Sequence, residues 1–513
     1  MDCHQIMATN FSPFVTQIVE ADADDLPSNG RIGIIDIGSN TVRLVVYDAP
    51  ARLPVPVFNE RVSCRLGKGL GKFGKLNPKG VELAFRSLKR FTNLAREMQV
   101  ESFVMLATAA VREATDGAEF AAEVERRFGY PVQVLDGVAE ACLGAKGILG
   151  GSPDADGLFG DLGGGSLDLV ALDKGDFGDN ATFPLGHLRV SEDSGKSISK
   201  AKSLIDRHLR SVAWLEKIEG RTLYAVGGAW RALARIYIEQ NRYPLHVLDN
   251  FTLDGRVARE LTKVISGLSP RSLESMSGVA RRRSDTLPFA ALVMNRLIKR
   301  AKPKAVVFSG YGLREGQFFE MLPEKMKKED PLISACEGFA RRSGRFSIHG
   351  SEIVDWVAPL FPNSSPADQR IRHATALLSD IGWTEHPDYR ALHAFIRILR
   401  LPISGVSHRD RILLALSVFV RYNGKRKQYE VKQVRSLLDA GDQYFAAILG
   451  LALRLAHTLS GGVPGILSKS HLELTTEKLT LHLGKEGQVL LGEAVERLFY
   501  ELAGTLNIEG SIN

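Results

Sequence analysis

The sequence predicts an α/β fold in which two related domains face each other across a cleft that fits a phosphate group. Two hairpins with the pattern Asp-x-Gly begin at Asp36 and Asp161, and such a long-range repeat indicates a duplicated domain. Four turns rich in small residues also follow predicted β-strands, and α/β sheets bind ligands at that end of their strands. Beyond residue 322 the apolar residues recur with helical spacing, which predicts an all-α region and then a small α+β end.

The two hairpins carry residues that we expect to bind an anion. The second reads D-L-G-G-G-S-L-D from Asp161 to Asp168, and its three glycines let the backbone approach a ligand while their N–H groups converge on it. Asp161, at the end of the incoming strand, is placed to hold a metal ion or a water on that anion. The alternative is a pair of ordinary hairpins. When the two are superimposed, the aligned pairs are Asp36 with Asp161, Gly38 with Gly163, and Thr41 with Ser166.

Composition is that of a soluble globular protein. The chain has 513 residues, 44% of them hydrophobic and 24% charged, which is enough for several domains. No apolar run approaches the roughly 20 residues that span a bilayer, and the N-terminus lacks the basic and apolar regions of a secretory signal. Four widely spaced cysteines without a C-x-x-C pair suit a reducing cytoplasm and argue against a structural zinc site. The net charge of +7 is compatible with a polyanionic ligand.

A first domain is predicted over residues 30–145, after a poorly ordered extension at residues 1–29. Its segment 67–75, rich in Gly and Lys, is interpreted as a solvated loop, with the alternative that it covers a phosphate chain. Arg112 follows a strand near a helix start, where it either grips an anion or forms a surface salt bridge. Glu140 lies at another strand-to-helix junction and is a candidate general base toward water, or simply a first-turn helix acid.

A second domain is predicted over residues 146–322. Besides the Asp161 hairpin, it contains a strand that runs into the Gly227-Gly228 turn and a helix. Such a turn can abut a nucleoside or phosphate, although a close contact between strand and helix explains the glycines equally well. The segment from Ser309 to Gly316 repeats this pattern.

The remaining chain is predicted as a helical domain over residues 323–460 and a small α+β cap over residues 461–513. Residues 323–331 are interpreted as a linker. Amphipathic spacing predicts helices over residues 332–342, 350–360, 366–381, 388–399, 408–421, 430–439 and 442–457. Alternating apolar residues then predict paired strands near 471–475 and 478–483, before a closing helix over 491–506.

Six turn motifs occur in one order along the chain, and they begin at Asp36, Ala107, Gly137, Asp161, Gly227 and Ser309. Together they resemble the exopolyphosphatase / guanosine pentaphosphate phosphohydrolase family, which belongs to the superfamily of actin, sugar kinases and heat-shock chaperones. The resemblance covers residues 31–316 and more weakly the tail. It implies two actin-like (ribonuclease H-like) domains that face a cleft.

The resemblance also implies roles for individual residues. Glu140 matches the glutamate that activates the attacking water, and Arg112 matches an arginine on the terminal phosphate. The implied metal ligands are Asp36, Asp161 and Asp168, and the implied cofactor is Mg²⁺, with a monovalent cation as a further requirement left open. The implied phosphate-binding residues are Gly38, Ser39, Asn40, Thr41, Gly163, Gly164, Gly165, Ser166, Gly227 and Gly228.

The chain departs from the family pattern at several positions. Ala139 stands where the family usually has the first of two glutamates, and Asp168 stands where it often has Glu, so a metal contact from Asp168 can run through water. In the tail, the segment 371–383 resembles the HD phosphohydrolase helix, but Ser379 replaces the His of its His-Asp pair. A two-metal site needs several His and Asp ligands, so we expect an HD-like scaffold without metal chemistry.

These observations predict a cytoplasmic exopolyphosphatase that acts on inorganic polyphosphate through a Glu-activated water. Guanosine pentaphosphate hydrolysis by the same site, a sugar-type kinase, and a non-catalytic nucleotide or polyphosphate sensor are the alternatives. Neither a nucleic acid nor a membrane is an expected partner, and the helical tail is a candidate homodimer surface. The basic clusters 281–283, 341–345 and 425–427 are interpreted as solvated faces, which would line a path for long polyphosphate if they converge.

Overall fold

The structure is a computed structural model that describes residues 30–48, 51–343, 345, 350–425 and 428–513, except for the side chain of Arg282. The predicted N-terminal extension, residues 1–29, lies outside the described residues. The chain divides into two compact units after Glu329, and each unit mixes helices with β-sheet. The predicted boundary lies at residue 323, and the segment interpreted as a linker contains a short helix.

A five-stranded sheet forms the first half of the first unit, in the order β3-β2-β1-β4-β5. β1 pairs with β2 in antiparallel fashion and with β4 in parallel fashion. β1 is an almost continuous apolar run that is buried along most of its length, as expected of a strand covered on both faces. The strands are β1 (Arg31–Ile37), β2 (Val42–Tyr47), β3 (Pro56–Val62), β4 (Val100–Ala107) and β5 (Val132–Val134).

A six-stranded sheet forms the second half, and it repeats the topology of the first. Its order, β10-β11-β9-β6-β7-β8, contains the series β8-β7-β6-β9-β11, which matches β3-β2-β1-β4-β5 strand by strand. β10 is an added antiparallel edge strand. The duplication predicted from the two hairpins is therefore present in the strand order. The strands are β6 (Gly157–Leu162), β7 (Leu167–Asp173), β8 (Asp176–Phe183), β9 (Thr222–Val226), β10 (Phe251–Asp254) and β11 (Ala305–Phe308).

Helices connect and cover these strands. The helices of the first half are α1 (Leu70–Phe73), α2 (Pro78–Glu97), α3 (Ala109–Glu113), α4 (Gly117–Phe128) and α5 (Gly137–Gly151). Those that follow are α6 (His187–Asp193), α7 (Ile198–Arg210), α8 (Gly228–Gln240), α9 (Gly255–Ser266), α10 (Pro270–Glu274), α11 (Leu287–Ala301), α12 (Leu313–Glu320) and α13 (Glu324–Lys327).

Helices α5 and α12 pack with their backbones in close contact. A Cβ atom built on Gly316 of α12 would overlap the carbonyl oxygen of Leu143 in α5, and one built on Gly147 of α5 would overlap the carbonyl of Gly312. Glycine is therefore required at both positions, because a backbone carbonyl cannot move aside as a side chain can. The contact fixes α5 against α12 on one side of the cleft.

The second unit is mainly helical. Its helices are α14 (Pro331–Ser343), α15 (Gly350–Val357), α16 (Pro366–Leu378), α17 (Pro387–Leu399), α18 (His408–Arg421), α19 (Tyr429–Arg435), α20 (Ala440–Ser460) and α21 (Glu493–Leu506), close to the predicted positions. A three-stranded sheet contains β12 (Ser470–Leu474), β13 (Lys478–Leu483) and β14 (Glu509–Ile512). The last strand was not predicted, because only one of its four residues, Ile512, is a large apolar one. No helix in the described chain is long and apolar enough to cross a membrane.

Asp380, which follows Ser379 in the segment that resembles the HD phosphohydrolase helix, is bound by arginines. Arg345 donates to it from Nε at 2.8 Å, and Arg421 donates from Nη2 at 2.9 Å. The hydroxyl of the neighbouring Ser379 hydrogen-bonds to Nε2 of His457 at 2.8 Å. Guanidinium groups thus compensate the charge of Asp380.

Candidate active site

A cavity of about 510 Å³ lies in the first unit and is lined from both halves of it. Every residue predicted for the site lines this cavity except Arg112. The predicted residues that line it are Asp36, Gly38, Ser39, Asn40, Thr41, Glu140, Asp161, Gly163, Gly164, Gly165, Ser166, Asp168, Gly227 and Gly228. The topology therefore brings together residues that are almost 200 positions apart.

The two hairpins have the same turn geometry. The N–H of Gly38 donates to the carbonyl of Thr41 at 2.9 Å, and the N–H of Gly163 donates to that of Ser166 at 3.0 Å. The strand register pairs Asp161 with Asp168 in one hairpin and Asp36 with Arg43 in the other. The positions aligned from the sequence thus correspond in the structure, but the partner of the first aspartate is a cation.

The carbonyl groups of the second turn are all occupied by the start of α6. The bonds run from the N–H of Gly186 to Gly165 O at 3.1 Å, of His187 to Gly163 O at 3.2 Å, and of Leu188 to Gly164 O at 3.2 Å. The described chain has no cis peptide bonds, and in a trans peptide the N–H points opposite to the preceding carbonyl. The N–H groups of Gly164, Gly165 and Ser166 therefore point away from α6, and none donates to an acceptor in the described chain.

The first turn is built in the same way by a different segment. The N–H of Arg65 donates to the carbonyl of Asn40, and that of Gly67 to the carbonyl of Ser39, both at 2.9 Å. The N–H groups of Asn40 and Thr41 are consequently directed away from that segment. Each half thus offers the cavity a turn whose N–H groups are fixed and meet no acceptor among the described residues, which is the arrangement of a backbone anion nest.

Helix N-termini add to the positive potential of the cavity. Helix α8 begins directly after Gly227 and α12 directly after Gly312, and both glycines line the cavity. The first turn of a helix carries free N–H groups and the positive end of its dipole. Gly227 has φ of 106°, and a Cβ there would lie 2.5 Å from the carbonyl oxygen of Leu162. Only glycine brings this helix start so close to the second hairpin.

Glu140 lies in the first turn of α5, which Asp136 caps by accepting from the N–H of Ala139 at 2.8 Å. Its side chain is 14% exposed. Burial raises the pKa of Glu140 well above its usual range, and the nearby carboxylates of Asp168 and Asp161 raise it further, while Arg112 opposes the shift. A glutamate whose pKa is raised is, in its ionised form, a stronger base toward water.

Arg112 contacts Glu140 rather than the cavity. Its Nη1 donates to Glu140 Oε2 at 2.7 Å and to the carbonyl of Leu135 at 2.7 Å. The family resemblance implied a contact with the terminal phosphate, whereas this arrangement orients the candidate base. The same guanidinium nitrogen therefore links the carbonyl of Leu135, the residue that follows β5, to the side chain of Glu140 in α5.

Burial shifts the pKa values of two carboxyl groups of the second hairpin, those of Asp161 and Asp168. Burial raises the pKa of Asp161 to about 6, and it raises that of Asp168 to about 7 with a further contribution from Asp161. Ser166 Oγ donates to Asp168 Oδ2 at 3.0 Å, which lowers the pKa of Asp168. Thr182 directs its hydrogen to the carbonyl of Gly137, so Asp168 Oδ1 has no hydrogen-bond donor in the described chain.

Two of the three carboxylates predicted as metal ligands remain available to a bound group. Among the described residues, no group of three or more His, Cys, Asp or Glu side chains is arranged to hold a metal ion. Asp36 is engaged by Arg314, whose Nη1 donates to Oδ2 at 2.7 Å. Mg²⁺ is often held by only one or two carboxylates together with waters and phosphate oxygens. Asp161 and the unpartnered oxygen of Asp168 supply such a pair.

Several cavity residues were not predicted to belong to the site, namely Arg43, His187, Arg231 and Arg314. Arg231 Nη1 donates to the carbonyl of Ser309 at 2.9 Å. His187 hydrogen-bonds through Nδ1 to Gly163 O at 2.8 Å, and burial lowers its pKa to about 4, so it is neutral and carries its proton on Nδ1. Arg231 lies three residues after the Gly227-Gly228 turn and Arg314 lies within the segment from Ser309 to Gly316, and this closeness to a glycine turn was the available signal.

The two halves also touch each other at the cavity mouth. Arg189 of α6 forms an ion pair with Glu113 of α3, and a second one with Asp193 at 3.6 Å. The N–H of Gly69 donates to Glu192 Oε2 at 3.3 Å. Segment 67–75 therefore contributes to the wall of the cavity.

The raised pKa values predict how stability depends on pH. The pKa values are about 6 for Asp161 and about 7 for Asp168 in the folded chain, against about 4 for an unfolded Asp, so the folded chain binds more protons in between. Stability of the ligand-free chain should therefore fall as pH rises from about 4 to 7. Asp168→Asn should flatten this dependence, so that the free energy of unfolding from thermal unfolding curves falls by roughly 3 kcal/mol less across the interval. Asp173→Asn, an exposed site on the same strand, is the control; equal slopes in all three proteins would contradict the assignment.

Two protein-family sequence models match the chain, one in each of its two units. Residues 45–325 match the sequence model of the Ppx/GppA phosphatase family, and residues 332–507 match that of the exopolyphosphatase C-terminal domain. Retrograde regulation protein 2 of Saccharomyces cerevisiae is 25% identical over 464 residues, which cover 80% of this chain and 76% of the yeast protein. Guanosine-5'-triphosphate,3'-diphosphate pyrophosphatase of Vibrio cholerae is 21% identical over 489 residues, or 91% of this chain and 94% of that protein.

A crystal structure of an exopolyphosphatase from Cytophaga hutchinsonii is similar to part of this chain. It superimposes with a TM-score of 0.51 at 25% sequence identity, and the match covers 57% of this chain and 97% of that one. The first family match alone spans more than half of the 513 residues. The chain belongs to the Ppx/GppA phosphatase family.

Proposed function

We propose that the chain is an exopolyphosphatase, which hydrolyses the terminal phosphoanhydride bond of inorganic polyphosphate and releases orthophosphate. The observation that carries the proposal is the pair of facing turns whose N–H groups are fixed but uncommitted, in one cavity with a glutamate of raised pKa. Similarity to the exopolyphosphatase C-terminal domain and to the Cytophaga hutchinsonii enzyme supports this choice of substrate.

In the proposed mechanism the terminal phosphoryl group lies between the two turns. Their N–H groups, with Arg231 and Arg314, stabilise charge on its oxygens. Glu140, oriented by Arg112, accepts a proton from a water molecule as the water oxygen bonds to phosphorus. The bond between phosphorus and the bridging oxygen breaks, and the shortened chain leaves with that oxygen. No covalent intermediate with the protein is needed.

Asp161 and Asp168 would hold a magnesium ion together with phosphate oxygens. When bound, the ion supplies charge neutralisation on the phosphate oxygens. Asp36 is the least available of the three predicted ligands, because Arg314 already pairs with it. Its role is then to hold Arg314 beside the phosphoryl group.

Hydrolysis of guanosine pentaphosphate by the same site is the second candidate. The match to the Vibrio cholerae pyrophosphatase extends over 91% of this chain, including the second unit, whereas that to the Cytophaga exopolyphosphatase covers only 57%. The turns and Glu140 would act in the same way on a terminal phosphate of either substrate.

Phosphate release from both substrates, measured side by side with Mg²⁺ and with EDTA, decides between these functions. We expect release from long-chain polyphosphate to exceed that from guanosine pentaphosphate at least tenfold, and EDTA to abolish it. A preference for the nucleotide would transfer the function to the second candidate. No release from either, with binding retained, would identify a sensor.

We also propose finer features of the architecture. The two halves of the first unit are actin-like domains, the helices of the second unit form an HD-like scaffold, and residues 461–513 form a cap. The arginines around Asp380 support the absence of metal chemistry there, since they occupy the carboxylate. We expect a homodimer, which light scattering of the purified chain would test.

A further inference from the structure

Strand β3 and the residues after it present cations toward the mouth of the cavity. Side chains alternate between the two faces of a strand, and here Arg61, Ser63 and Arg65 all line the cavity. Between them, Val62 and Cys64 face inward, and Cys64 is buried. This row lies at the edge of the first sheet, next to the first hairpin.

The acidic residue of this strand is engaged elsewhere. Glu60 accepts two hydrogen bonds from Arg90 of α2, at 3.0 and 3.1 Å, on the face opposite to Arg61. The strand register also places Arg61 directly opposite Arg43 of β2. Arg43 lines the same cavity, so the two arginines present their side chains on the same side of the sheet.

Arg65 has an unusual backbone conformation. Its φ of 56° lies in the left-handed region, which side-chain-bearing residues rarely adopt, while its N–H donates to the carbonyl of Asn40 in the first turn. Glycine would adopt this backbone conformation with less strain. An arginine kept in a strained conformation beside a cavity is an indication that its side chain has a function.

We propose that Arg61, Ser63 and Arg65 form a second anion subsite, which binds phosphate groups of the substrate beyond the one that is cleaved. The inference deepens the proposed function, on which it rests, because it assigns the cavity to a linear polyanion. Guanidinium groups bind phosphate oxygens with two parallel hydrogen bonds, and a Ser hydroxyl can donate a third. Lys68, exposed on the same rim, extends the cationic surface outward. A longer chain gains contacts here that a short one cannot reach.

Binding of long-chain polyphosphate and of tripolyphosphate to the Glu140→Gln chain tests the subsite, because the substrate is not consumed. In that background we expect Arg65→Gly and Arg61→Gln each to weaken binding of the long chain about fivefold and of tripolyphosphate less than twofold, a size typical of exposed ion pairs. The slope of log affinity against log salt concentration should fall by about one per arginine.

Arg242→Gly is the matched control. Arg242 also has a positive φ, of 48°, and is exposed, but it does not line the cavity. Both arginine-to-glycine changes should raise the melting temperature slightly, because both relieve a left-handed backbone. Only Arg65→Gly should weaken polyphosphate binding, which separates loss of the side chain from loss of the fold.

Two results would overturn the inference in distinguishable ways. If the parent binds the long chain tightly and both cavity variants bind it equally well, the subsite is refuted and the exopolyphosphatase assignment stands. If the Glu140→Gln chain without further changes binds neither polyphosphate, the proposed substrate is wrong and the proposed subsite is refuted as well.

Discussion

Replacement of Glu140 by glutamine is expected to lower phosphate release by about 10²–10⁴-fold, the range that a general base contributes. The amide keeps the size of the side chain but cannot accept the proton of the attacking water. Substrate affinity should change little, because the turns that we propose to bind the phosphoryl group would donate to it from their backbone. Initial rates and equilibrium binding of the same substrate give the two quantities.

Glu192→Gln is the control for this experiment. Glu192 also lines the cavity, but it lies on α6 and accepts from the N–H of Gly69. Its replacement should alter turnover less than about threefold, as expected of a surface polar contact. If Glu140→Gln retained the rate of the parent chain, Glu140 would not be the base, and the Arg112 contact would have a structural role only.

Replacement of Gly316 by alanine is expected to have the largest effect on stability. The new methyl group would overlap the carbonyl oxygen of Leu143, one turn after Glu140 in α5, and backbone cannot yield without moving the helix. Overpacking of this kind costs roughly 1–3 kcal/mol, and here we expect the upper end. Thermal unfolding measures the loss, and it should be accompanied by a fall in turnover because α5 carries the candidate base.

Gly150→Ala provides the comparison within the same helix pair. A Cβ on Gly150 would meet Phe319 at 3.8 Å, which is an ordinary contact, so this variant should be neutral or slightly more stable. If Gly316→Ala melted at the same temperature as Gly150→Ala, the close approach of α5 and α12 would not be a determinant of stability.

Local pattern was sufficient to predict the hairpins and the duplicated sheets. Asp36 and Asp161 each end an apolar strand and precede a glycine turn, and these features lie within a few residues of one another. The amphipathic helices of the second unit were predictable for the same reason. Strand β14 was not, because it is short and pairs in parallel with a strand about thirty residues earlier.

The contacts of side chains were harder to predict than the positions of the strands and helices. Arg112 follows a strand as an anion-binding arginine would, yet it reaches Glu140, 28 residues later. Arg314 lies in a recognised glycine motif, but its pairing with Asp36, 278 residues earlier, depends on how the two halves meet. Long flexible side chains can reach residues that are distant in sequence. The periodicity of the sequence does not indicate which of these residues they contact.

The tethered carbonyls of the two turns have a consequence for how this site can be studied. Since α6 and the segment around Arg65 hold those carbonyls, the proposed contacts to the phosphate come from amide hydrogens, which every amino acid except proline also carries. Alanine scanning would therefore leave intact the backbone groups that we propose as the main source of affinity for phosphate. Amide-to-ester replacement at Gly164 or Gly165, made by semisynthesis, removes one such hydrogen while leaving the side chains intact, and it is the substitution to which this site should respond.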